Sequence, residues 1–187
     1  VVTITASMID DGSTVPCLDT DPIDPYLSLS QYVFDCSNVG ANVVTLTVTD
    51  KTGRTDTATA TVTVEDITPP EVLTQDIIVY LDAAGTVTIT TAQIDNGSND
   101  ACGIASMTLD VDEFFCTDIG PNVVTLPVYD VNNNRGSATA TVTVVDDLAP
   151  EMACIITGTL TVGTSTSTCD YTHADASWDF SATDNCD

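Results

Sequence analysis

The sequence predicts an all-β chain of tandem immunoglobulin-like β-sandwich repeats, on three observations. The 187 residues are rich in Thr and Val, whose branched Cβ favours strands over helices. The chain also repeats itself: residues 36–50 (CSNVGANVVTLTVTD) match 116–130 (CTDIGPNVVTLPVYD) at an offset of 80, and 57–66 match 137–146 at the same offset. Within these segments apolar and polar residues alternate. Val124, Leu126 and Val128 share one face of a strand, and Ala140, Val142 and Val144 lie opposite a row of Thr139, Thr141 and Thr143.

The elements follow in order. In the middle repeat, strands are predicted at 76–82, after a turn at AAG at 86–94, then at 104–109, 113–115, 123–130 and, across the hairpin turn VNNNRG, at 138–144. A head-to-tail string needs an odd number of strands, so a short seventh, or one split between sheets, is expected. Pro127 removes a ladder donor and predicts a bulge or an edge. The motif IDDGS at 9–13 matches IDNGS at 94–98 at an offset of 85, as Cys17 matches Cys102, so the first repeat holds extra residues before Tyr26. The expected units are 1–68, a repeat lacking its first strand; 69–149, complete; and 150–187, the N-terminal part of a third. On this phase the chain is a window on a longer one, or neighbours supply the missing strands.

Charge narrows function. Three Lys and Arg face 28 Asp and Glu, a net charge of −25. Three cations cannot make the basic face that nucleic acid or anionic lipid requires. At 43% hydrophobic residues and a mean hydropathy of +0.19, the chain can bury a core, and no apolar run is long enough to span a membrane as a helix. With one His, no acid–base or nucleophilic constellation assembles, so no enzymatic activity is expected. His173 and Trp178 are expected to be structural.

Seven cysteines without a CxxC pair read as a disulfide framework formed in an oxidising compartment. The expected pairs are local: Cys17–Cys36 and Cys102–Cys116 at equivalent places, with Cys154–Cys169 in the third repeat. Cys186, equivalent to Cys102, would find its partner beyond Asp187.

Of the 28 acidic residues, 24 are Asp, a turn former and a hard oxygen ligand. Asp95 and Asp100 precede Cys102, and Asp179 and Asp184 precede Cys186 at the same spacing. An immunoglobulin-like strand order brings this loop, the hairpin loop carrying Asp130, Asn132 and Asn134, and the linker carrying Asp66 to one junction. Carboxylates so close would repel unless a cation sat among them. Ca²⁺ is therefore expected, held by Asp66, Asp95, Asp100, Asp130 and Asn132, and at the second junction by Asp146, Asp147, Asp179 and Asp184. The linker EDITPPE is similar, in loose form, to the Asp-x-Asn-Asp-x-x-Pro linker of cadherins. Val15 stands where Asp100 would fall in the first repeat. The competing reading is a merely solubilising surface.

The unit TPPEVLTQDIIVYLDAAGTVTITTAQIDNGSNDACGI…FFCTDIGPNVVTLPVYDVNNNRGSATATVTVVD resembles repeats of very large surface adhesins of Bacteroidota, including SprB-like gliding-motility adhesins exported by the type IX secretion system. The third repeat, with PEMAC, STC and SATDNC, is similar to the start of a HYR domain, an immunoglobulin-like module. The resemblance implies an extracellular, filamentous, adhesive bacterial protein, and at Asp56-Thr57-Ala58 it implies an O-glycan on Thr57. The function expected is a structural stalk segment stiffened by disulfides and calcium, with neighbouring repeats of the same long chain as partners, and surface glycans or other cells beyond them. Two alternatives remain: repeats that bind glycan or matrix directly, and a subunit of a strand-exchanged extracellular polymer.

Overall fold

The computed structural model describes residues 1–14, 26–153 and 181–186. The chain is all-β. In the first repeat, β1 (Val2–Thr3) leads into a one-turn helix α1 (Ala6–Ile9), followed by β2 (Tyr26–Leu29), β3 (Val33–Phe34), β4 (Gly40–Thr49) and β5 (Thr55–Val64). Strands β2, β4 and β5 form one sheet in that order, and β1 pairs with β3 in another. The β4–β5 hairpin runs antiparallel from Gly40↔Val64 to Thr49↔Thr55. Its alternation turns Val44 and Leu46 inward to meet Leu29 and Phe34, with Ile4, Ile9, Leu27, Val48, Val62 and Val64 packed around them. Phe34 and Val44 are wholly buried, each worth about 1.5–3 kcal/mol over exposure.

The second repeat supplies β6 (Ile77–Tyr80), β7 (Thr86–Thr88), α2 (Thr91–Ile94), β8 (Ile104–Met107), β9 (Glu113–Phe115), β10 (Gly120–Asp130) and β11 (Arg135–Val145). One sheet has the order β6-β11-β10-β8, and β7 pairs with β9 in a second. The first strand runs parallel to the last, from Val142↔Ile77 to Val145↔Tyr80. Val124, Leu126, Val128, Ala140, Val142 and Val144 are buried, as their alternation predicts. Beyond them, β12 (Glu151–Ala153) pairs antiparallel with β13 (Ser181–Thr183).

By compactness the chain divides differently from its sequence repeats. One unit is 1–71 with 99–106 and 129–136; the other is 72–98, 107–128 and 137–187. Two loops of the second repeat thus belong to the compact unit of the first.

Two local features depart from or refine the sequence reading. Residues 86–94 are not one strand: β7 stops at Thr88 and α2 follows. Thr90 is extended, its N–H donates to Gln93 Oε1 at 2.8 Å, and this reciprocal capping starts a helical turn that drives Ile94 into the core. An isolated bridge pairs Thr74 with Asp95 before β6 joins β11, and Asp95 belongs to no strand. Pro127 lies inside β10 just where β8 ends: its carbonyl accepts from Thr108 N at 3.1 Å, but without an N–H it cannot return the second bond of that pair.

Candidate functional site

The cysteines are placed by turns. Cys36 opens a 3₁₀ turn whose cap is Asp35: its Oδ1 accepts from Ser37 N at 2.9 Å, and Asp35 N donates to Asn38 Oδ1 at 3.0 Å. Cys102 closes the acidic loop, held by Asp100 Oδ1, which accepts from Cys102 N at 2.7 Å and Gly103 N at 3.0 Å. These two cysteines are bonded, with Cα atoms 5.1 Å apart. Cys116 and Cys186 form the second bond, at 5.2 Å.

Both expected local pairs are therefore corrected. Cys36 is taken by Cys102, which excludes Cys17–Cys36 and Cys102–Cys116, and the partner of Cys186 is Cys116, inside the chain. The reason is topological. Cys102 precedes β8 and Cys116 follows β9, and they would meet only if those strands were a hairpin; instead β8 joins β10 and β9 joins β7 in separate sheets. Cys36 and Cys116 are equivalent, as are Cys102 and Cys186. The two bonds are thus the same bond repeated, from the second cysteine of one repeat to the first of the next. Cys17, Cys154, Cys169 and Asp179 lie outside the described residues.

Gly85 makes room for the second bond. Its φ is +72°, and a Cβ there would lie 2.6 Å from Cys116 Sγ and 2.8 Å from the Asn185 carbonyl oxygen. Any side chain would meet both the left-handed backbone and the disulfide.

The acidic residues fall into distinct roles. In the first compact unit, Asp66, Asp100 and Cys102 present ligating atoms within 4.8 Å of one another, but the Cys102 sulfur is in a disulfide, leaving two carboxylates. Asp66 Oδ1 accepts from Thr68 N at 3.1 Å, while its Oδ2 is buried without a hydrogen-bond partner. Asn132 Oδ1, on the hairpin loop of the same unit, is likewise buried and unpartnered. Asn134 ties the linker to this loop, donating from Nδ2 to the Asp66 carbonyl at 3.0 Å and to Asp130 Oδ2 at 2.7 Å.

Asp130 is 1% exposed and both its oxygens are engaged: Oδ1 accepts from Asn132 N and Asn134 N at 2.8 Å, and Oδ2 from Asn134. It organises the hairpin and has little left for a cation. Burial pushes its carboxyl up, but the donors from the Asn134 side chain and the backbone of Asn132–134 outweigh this, and it titrates below the usual carboxylate range. Since its folded pKa is depressed, its stabilisation is complete above the unfolded value near ~4 and disappears as pH falls through the folded value. Asp130→Asn, which sets one amide NH₂ against another, is expected to unfold at lower denaturant than the parent at pH 7, with the gap closing in strong acid. Urea titrations at several pH values check this.

Asp95 belongs to the second compact unit and is held by its own loop. Ser98 N donates to Oδ1 at 3.0 Å and Gly97 N to Oδ2 at 3.3 Å, and the Ser98 side chain is the main cause of its lowered pKa. In the same unit Asp146 Oδ1 accepts from Leu148 N and Asp184 Oδ1 from Cys186 N, copying the turns at Asp66 and Asp100. Asp147 is exposed. Among the described residues no group of three ligating side chains forms around them.

No protein-family model matches the chain, and no curated protein matches it. Among the described residues no helix is long and apolar enough to cross a membrane.

Proposed function

We propose that the chain is a structural stalk segment of an extracellular bacterial adhesin, built of immunoglobulin-like sandwiches. The observation that carries this is the repeated disulfide. Tension entering at Val1 follows the backbone to Cys36, crosses to Cys102, follows 14 residues to Cys116 and crosses to Cys186. Most of the second repeat, and the part of the first that follows Cys36, are thereby bypassed by covalent shortcuts. A stalk gains from this, because an unfolded repeat cannot pay out its full length. The pairing of β6 parallel to β11, with two sheets in each repeat, supports the immunoglobulin-like class. Disulfides support an oxidising, extracellular setting.

Calcium is part of this proposal, now centred on Asp66 and Asp100, with Asn132 Oδ1 as a further candidate oxygen. Two buried oxygens without donors are what a bound cation would satisfy. The chain itself carries no catalysis. Thr57 is exposed at the start of β5, accessible to the O-glycan that the resemblance implies. Immunogold labelling of producing cells with antibody to this chain should decorate extended surface fibres. Label confined to the cell interior would contradict the reading.

A further inference from the structure

The group formed by Asp66, Asp100 and Cys102 is of mixed chemistry, two carboxylates and one sulfur, with ligating atoms within 4.8 Å of one another. All three residues are half-buried and lie in one compact unit. Bonds other than the disulfide hold them there. Asp100 Oδ1 accepts from Cys102 N at 2.7 Å and Gly103 N at 3.0 Å, which fixes this carboxylate and the cysteine in one turn. Asp66 is tied by Oδ1 to Thr68 N at 3.1 Å and by its carbonyl to Asn134 Nδ2 at 3.0 Å. Its Oδ2 is buried with no hydrogen-bond partner, a state that costs free energy until something occupies it. The second disulfide differs: among the described residues the equivalent Asp146, Asp184 and Cys186 form no such group. The two sulfurs of the first bond also differ, since Cys36 is exposed and Cys102 is half-buried. A thiolate reductant therefore attacks Cys36 Sγ, and the bonding pair leaves on Cys102 Sγ, the sulfur beside the carboxylates.

We propose that opening Cys36–Cys102 creates a site for a thiophilic divalent cation of the Zn²⁺ class, held by the Cys102 thiolate, Asp66 and Asp100. Two thiols of the reductant supply the electrons. The first forms a mixed disulfide with Cys36 and expels Cys102 as a thiolate. The second releases Cys36 as a thiol and closes the reductant's own disulfide. Zn²⁺ takes the electron pair on Cys102 that a proton would otherwise take. Three protein ligands leave a fourth position for water, an arrangement that tetrahedral Zn²⁺ accepts. The closed bond has no thiolate to give, so the oxidised chain offers only hard oxygens, suited to Ca²⁺ rather than to a thiophilic ion. The same three residues thus change the class of cation they prefer with the state of one disulfide. The site stands on the Cys102 sulfur and holds whether or not the oxidised chain binds calcium.

The test reduces the full chain with a phosphine, adds iodoacetamide with and without Zn²⁺, and reads the alkylation rate of each cysteine from its peptide. Zn²⁺ should slow alkylation of Cys102 about tenfold or more and leave Cys36 unchanged. Cys36→Ser frees the Cys102 thiol without reductant and keeps Cys116–Cys186. It should show the same protection and bind Zn²⁺ at least about tenfold more tightly than the oxidised parent or Cys102→Ser. Asp66→Asn with Asp100→Asn in the Cys36→Ser background should lose both effects. If the reduced parent unfolds, Cys36→Ser decides. No protection of Cys102 in Cys36→Ser, equal protection of Cys36 and Cys102 in a folded reduced parent, or undiminished Zn²⁺ binding by the Asn variant overturns the proposal. The calcium response of the oxidised chain is read separately, and its absence beside intact Zn²⁺ protection would count against calcium alone.

Discussion

Cys102→Ser is expected to destabilise the folded chain by about 4 kcal/mol, the loop-closure value for a bond spanning 66 residues. A local 14-residue loop would be worth about 3 kcal/mol, so the long-range bond is the stronger constraint on the unfolded chain. Because Cys36 is exposed, reductant should reach this bond without prior unfolding. Denaturant titrations of parent and variant, each with and without reductant, check the claim: reduction should cost the parent more than the variant. Non-reducing peptide mapping should recover Cys36–Cys102 and Cys116–Cys186 as linked peptides. A variant as stable as the parent, or free thiols at these four positions, would contradict it.

Millimolar Ca²⁺ is expected to raise the melting temperature. For a site of ~10 μM affinity, 1 mM Ca²⁺ stabilises the fold by about 2.7 kcal/mol. The gain should reside at Asp66 and Asp100, so the double substitution to Asn should remove most of it, while Asp95→Asn, in a self-contained turn, should leave it largely intact. Sodium chloride at matched ionic strength should not reproduce the effect, since screening weakens repulsion everywhere and does not fill a site. Calorimetry in calcium and in EDTA decides, and superimposable scans would reduce the acidic loops to a solubilising surface.

Much of the fold was legible because its signals are local. The alternation of Val124, Leu126 and Val128 shows in any eight-residue window, and the repeat announces itself at a fixed offset. The turn at 91–94 was less legible, since its capping pair, Thr90 and Gln93, sits in a stretch whose Thr and Val content argues for strand. The cysteine pairing failed for a different reason. Recurrence of Cys36 and Cys116, and of Cys102 and Cys186, fits both bonds within a repeat and bonds from one repeat to the next. Proximity in sequence favoured the former, and only the assignment of β8 and β9 to different sheets rules it out. The odd cysteine count does not discriminate either, because pairing within repeats leaves Cys186 over and pairing shifted by a repeat leaves Cys17 over. Asp130 shows the same limit: composition marked it as a ligand, but three amide donors around one buried carboxylate are a property of the folded hairpin.

The covalent shortcut is tested most directly by stretching single molecules from their two ends. The bonds span 66 and 70 residues, so reduction should lengthen the fully extended chain by about 450 Å. The oxidised chain should give traces that end short by that amount, however high the force below bond rupture, and reductant should restore the missing length. Oxidised and reduced molecules that extend to the same final length would contradict the account.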